Sequence, residues 1–148
     1  TLWERIKFGT ASLVGLVTGT IAGLATVTPA SGFIGPGEAL ILGAVAGILC
    51  QEAVNLIRNT FHIDDTLDVF AVHGVSGIFG TIMIAVFGHG TWAAQLGGLA
   101  IVGGFTLVVT VVLVKIVGLI VRFRVDEEAE ATGLDLAVHG ERAYDIMS

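Results

Sequence analysis

Four long apolar stretches separated by short polar breaks organise this chain. Phe8 to Val27 carries no charge and stops at Thr28-Pro29-Ala30-Ser31-Gly32, a run that ends a helix and turns the chain. The second stretch follows Gly35-Pro36-Gly37, stays apolar from Ala39 to Cys50, and takes up Gln51, Glu52 and Asn55 before Arg58. The third, Val69 to Phe87, holds a single ionisable residue, His73, and ends in Gly88-His89-Gly90. The fourth, Trp92 to Val121, has only Gln95 and Lys115 inside it; at 1.5 Å per residue it is roughly 45 Å long and must tilt or project beyond the hydrocarbon. A helix crosses the bilayer with about 20 apolar residues. Barrel strands would alternate in polarity, and these stretches do not. The predicted fold is an all-α membrane protein with four transmembrane helices at about 8–27, 36–58, 67–87 and 92–122. They make up a transmembrane region over 1–125, followed by a cytoplasmic tail over 126–148.

Composition agrees. The chain is 54% hydrophobic and 14% charged, with a mean hydropathy of +0.90, against about 25% charged residues in an ordinary water-exposed domain. The 21 glycines fit helices that approach closely in lipid: Gly15, Gly19 and Gly23 fall on one face of the first helix, Gly43 and Gly47 on the second, and Gly74, Gly77 and Gly80 on the third. The net charge of -6 comes mostly from the segment Asp126 to Asp145. No basic patch for nucleic acid is present. The lone Cys50 excludes an internal disulfide and reads as a small core residue. No metal or cofactor is expected.

Lys and Arg set the orientation. Arg5 and Lys7 precede the first span, Arg58 lies between the second and third, and Arg122 and Arg124 follow the fourth, whereas the loops around 28–38 and 88–91 have neither. The positive-inside rule places both termini and the middle loop in the cytoplasm.

His73 is the focus of candidate chemistry. An ionisable group within a span is costly and usually faces a cavity or a partner. A water-poor setting favours the neutral ring, which donates from one nitrogen and accepts at the other. Two readings stand side by side: a pore group that passes on a small polar species, or a structural histidine satisfied by a neighbouring helix. Asp64-Asp65-Thr66-Leu67-Asp68 precedes this helix; such a cluster caps orphan amides and favours the positive end of the helix dipole, or forms a cation-attracting mouth. Lys115 is placed to snorkel toward the inner interface. Catalytic triads, paired catalytic carboxylates and phosphate-cradling loops are absent from the sequence, so no enzyme is expected.

Three segments carry a family resemblance. Residues 64–80 closely resemble the DD-x-x-DVF-x-VHG-x-x-G-x-x-G signature of the ammonium transporter (Amt/Mep/Rh) family. Residues 22–32 resemble its AGL-x-x-ITPA-x-G segment, and residues 133–144 its tail motif GLD-x-x-x-HGE-x-AY. The resemblance implies an eleven-helix fold of two inverted repeats that assembles as a homotrimer with one pore per subunit. This chain looks like the last four helices plus tail, opening at Thr1 and requiring the remaining N-terminal helices as companions. It further implies that His73 is the second of twin pore histidines, with Val69 and Phe70 beside the lumen, Thr28 nearer its outer part, and Asp68 holding the helix start. Gly133, Asp135, His139, Gly140 and Tyr144 would belong to a regulatory tail that meets PII-type signalling proteins. Ammonium or ammonia would be the substrate, the cell membrane the location, and lipid the surroundings. Glu38, where small residues are usual, and Ala137, where plant members carry a phosphorylated Thr, depart from the pattern. The alternatives are an ammonium sensor, in which the tail transmits occupancy, and a structural split fragment needing its companion.

Overall fold

The computed structural model describes residues 1–142. The described residues form helices and no strand. Two compact units divide the chain, Thr1–Gly103 and Gly104–Ser148.

The first unit opens with a short helix, α1 (Leu2–Phe8), ended by Gly9 in the left-handed conformation at φ 78°. The apolar run expected to form one span from Phe8 is therefore broken, and α2 (Leu13–Val27) begins afresh. The cause is polar chemistry within 9–12. Ser12 caps α2 by accepting the Gly15 amide at 2.8 Å, and its own hydroxyl and amide donate to Glu4 at 2.7 and 3.2 Å. Those bonds, the hydroxyl's first, hold the Glu4 carboxyl below the usual carboxylate range. The tether is thus present above the ordinary carboxylate value and is lost as pH falls through the lowered one. Lys7 and Trp3 of α1 both donate to the Glu52 carboxylate, at 2.6 and 2.8 Å.

A 3-10 turn, Thr28–Ala30, closes α2. Helix α3 (Pro36–Asn55) starts with Pro36, where its missing N–H costs nothing, and the Glu38 carboxylate accepts the Gly35 amide at 2.9 Å. It ends in a π-helical turn, Leu56–Thr60. A second π-helical turn, Phe70–Gly74, leads into α4 (Val75–Val86), and α5 (Trp92–Gly118) follows. Three helical stretches are long and apolar enough to cross a membrane: Leu13–Ala30, Pro36–Thr60 and Trp92–Gly118. Phe70–Val86 is a shorter apolar helix.

The core lies between α2, α3 and α4, and it is built from small residues every fourth position. Ala22, Thr26 and Ala30 face Leu42, Ala46 and Cys50, and both rows face Val72, Ser76, Gly80 and Ile84. This stripe runs mostly beside the glycine rows rather than along them. Gly19, Gly47 and Gly77 look onto open space, while Gly23 meets Gly43 and Gly80 meets α2. Thr26 is fully buried because its hydroxyl donates back to the Ala22 carbonyl at 2.8 Å, which satisfies a polar group that would otherwise be costly in an apolar core. Helix α5 buries no residue at all.

In the second unit, α6 (Glu127–Thr132) precedes a π-helical turn over Asp135–His139. Arg124 reaches Glu130 with two bonds, at 2.7 and 3.1 Å. Gly140 ends the tail turn at φ 69°, a left-handed conformation that glycine adopts without strain. Tyr144 lies outside the described residues.

Candidate functional site

The site is built around the helix that carries His73, and its start is held by residues upstream. The Asp65 carboxylate accepts three successive amides, from Val69 at 2.8 Å, Phe70 at 3.0 Å and Ala71 at 3.2 Å. These are orphan donors of the first turn. The acidic run predicted a cap, and Asp65 is the residue that supplies it. Asp68 stands at the helix start with φ 54°. Its carboxylate lies 2.8 Å from Arg58 Nε, an ion pair outside hydrogen-bond alignment, and its carbonyl accepts the Val72 amide at 2.8 Å. Replacing Asp65 with Ala removes three acceptor contacts at once. The expected cost is at least the roughly 0.5–2 kcal/mol of a lost N-cap, read as a lowered melting temperature of the purified protein.

The next turn, Phe70–Gly74, is π-helical. Such turns insert an extra residue and are frequent at functional sites. Ala71 and Val72 enter the core, and Val72 packs with Ala22 and Cys50, whose Sγ lies 3.8 Å from the Val72 carbonyl. His73, one position on, points away from the core and is exposed in this chain. It lines an open groove of about 520 Å³ together with Gly77 on its own helix and Ile21, Leu24, Ala25, Thr28 and Pro29 on the other side. The imidazole and the Thr28 hydroxyl are the only polar side-chain groups there. Thr28 donates its hydroxyl hydrogen to the Leu24 carbonyl at 2.7 Å, leaving its oxygen free to accept. The arrangement suits a small hydrogen-bonding species moving along an otherwise apolar wall.

His73 and Thr28 are thus brought together, 45 residues apart in sequence, while Val69 and Phe70 are not part of the groove. Both occupy the first turn and are exposed, with the Phe70 ring laid across Gly74. A larger cavity of about 620 Å³ lies between α1, α2 and α3 and contains none of the candidate residues. Sequence reasoning missed the groove wall formed by Leu24, Ala25 and Pro29, which lies within the second matched motif, and it missed the reach of Arg58 to the Asp65 and Thr66 carbonyls. In the tail, Asp135 and His139 bound one turn and Gly133 and Gly140 flank it. No group of three or more metal-ligating side chains occurs among the described residues.

Comparison with known proteins gives one consistent answer. The model of the Ammonium Transporter Family matches residues 1–144. The chain is 36% identical to an ammonium transporter of Bacillus subtilis, over 90% of its own length and 37% of the relative's. It is 36% identical to ammonium transporter Amt1 of Archaeoglobus fulgidus, over 96% and 39%, and 37% identical to ammonium transporter MEP1 of Saccharomyces cerevisiae, over 92% and 32%. The chain therefore spans well under half the length of these curated relatives. No solved structure matches. The apolar helices and the family agree on an all-α, multi-pass membrane protein, and this chain belongs to the ammonium transporter family.

Proposed function

We propose that this chain is the C-terminal part of an ammonium transporter and that His73 stands on the conduction path. The observation that carries this reading is the groove, in which an imidazole and one hydroxyl are set in an apolar wall. Ammonium enters from outside and releases a proton to water on that side, and the ammonia that remains passes inward along the imidazole of His73, whose ring nitrogens offer it hydrogen bonds. Thr28, one helix away, marks the outer side of the same wall. Val69 and Phe70 act from the turn below His73, beside the cytoplasmic half.

The four apolar helices cross the cell membrane with both termini of the segment inside, a reading supported by the distribution of Arg5, Lys7, Arg58, Arg122 and Arg124. Helix α5, with no buried residue, presents its apolar surface to lipid and to the N-terminal helices that complete the fold. The complete protein is a homotrimer. Its tail, including Gly133, Asp135, His139, Gly140 and Tyr144, is the segment that meets a PII-type partner.

The test is methylammonium uptake by the complete protein carrying His73→Ala. Uptake that collapses while the transporter still assembles supports the reading. Wild-type uptake with wild-type selectivity sinks it.

A further inference from the structure

We propose that Arg58 is a positioning residue for His73, acting through the turn over residues 64–68. The proposal rests on the reading that His73 serves transport.

Arg58 is held in place before it reaches anything. It sits in the π-helical turn that ends α3, its neighbour Ile57 is buried, and the Ile57 carbonyl accepts the Ile63 amide at 3.1 Å. From there the guanidinium spans the following turn. Nη2 donates to the Asp65 carbonyl at 3.2 Å and to the Thr66 carbonyl, and Nε lies 3.3 Å from the Asp65 carbonyl and 2.8 Å from Asp68 Oδ1. One planar fork thus ties together two backbone carbonyls and a carboxylate, a task that suits arginine and not a point charge.

What it ties down sets the phase of the next helix. Asp68 holds a left-handed φ of 54°, which an Asp side chain adopts at a cost and which surrounding contacts must maintain. Asp65 must keep its carboxylate within reach of three amides. The first helical bond, from the Val72 amide to the Asp68 carbonyl, follows directly. Adjacent residues point in different directions, about 100° apart in an α-helix and somewhat less in a wider π-helical turn such as this one. With Val72 fixed in the core beside Ala22 and Cys50, His73 is turned to the groove. Loosening the 64–68 turn frees the helix start, and the ring loses its fixed direction while the core row from Ser76 onward still packs.

The experiment is methylammonium uptake per reconstituted transporter in proteoliposomes, using the complete protein as wild type, Arg58→Gln, Arg58→Lys, His73→Ala and the Arg58→Gln/His73→Ala double variant. Arg58→Gln is expected to lower the maximal rate roughly tenfold, the scale at which a misplaced group acts, with Arg58→Lys recovering part of it. Added to His73→Ala, it is expected to cause no further loss, because both changes remove the same contribution. A purely structural role predicts a smaller yield of assembled protein and an unchanged rate per transporter, whereas a contribution to transport independent of His73 predicts a lowered rate in Arg58→Gln that multiplies with the His73→Ala loss in the double variant; an unchanged rate or a full multiplication overturns the proposal. If Arg58→Gln does not assemble, Asp68→Asn carries the test, since it removes the ion pair and leaves the carbonyl contacts; a wild-type rate there overturns the proposal. An unimpaired Arg58→Gln beside a damaged His73→Ala defeats the positioning role alone. An unimpaired His73→Ala defeats the transport reading beneath it.

Discussion

Replacing His73 with alanine in the complete transporter is expected to cut methylammonium uptake by roughly a hundredfold, the low end of what a positioned acid–base group contributes. The reason is that nothing else this chain contributes to the groove can take over. Its walls are apolar, and Thr28 has committed its only hydrogen to the Leu24 carbonyl. The substitution should leave folding intact, because the ring is exposed in this segment and contributes no buried contact to the α2–α3–α4 core. His73→Gln separates hydrogen bonding from proton handling: an amide keeps a donor and an acceptor but does not titrate near neutral pH. A rate between wild type and alanine is expected if hydrogen bonding supplies part of the effect. Equal rates for Gln and Ala would assign the whole effect to the imidazole's ability to take up and release a proton.

The largest stability effect is expected at Gly80. Helices α2 and α4 meet there closely enough that a Cβ would run into the Thr26 carbonyl oxygen and stand 3.0 Å from Pro29 Cγ. The obstruction is backbone, which cannot swing aside as a flexible side chain would. Gly80→Ala is expected to cost about 1–3 kcal/mol by overpacking, and Gly80→Leu to prevent assembly. Thr26 and Pro29 flank Thr28, so prising the helices apart also widens the groove around His73. Gly19→Ala, which meets open space in this segment, serves as the comparison. Monodisperse protein at wild-type yield from Gly80→Leu would show that the crossing is not close-packed.

Much of this was legible in the sequence because the signals were local. Thr28-Pro29 ended α2, Pro36 opened α3, and a run of acids preceded the helix of His73. Other features depend on distance in space. Phe8 to Val27 reads as one apolar run, and the break appears only because Ser12 finds both the Gly15 amide and the Glu4 carboxylate. The glycine rows are conspicuous, yet the buried stripe is Ala22, Thr26 and Ala30 against Leu42, Ala46 and Cys50; which small residues face inward depends on helix rotation, and periodicity alone does not set it. Among the three acids before Val69, spacing could not select Asp65 as the cap, since the left-handed Asp68 redirects its own side chain to Arg58. The groove needed two motifs to meet: His73 belongs to one and Thr28 to another, and nothing local joins them.

A structure of the complete transporter would show directly whether the His73 imidazole faces a passage. A narrow channel that runs along Thr28 and reaches the ring of His73, with the remaining helices closing the groove into a tube, is the expected result. A ring clamped between side chains of those helices, with the 520 Å³ groove filled and no route leading to it, would mean that His73 stands on no conduction path.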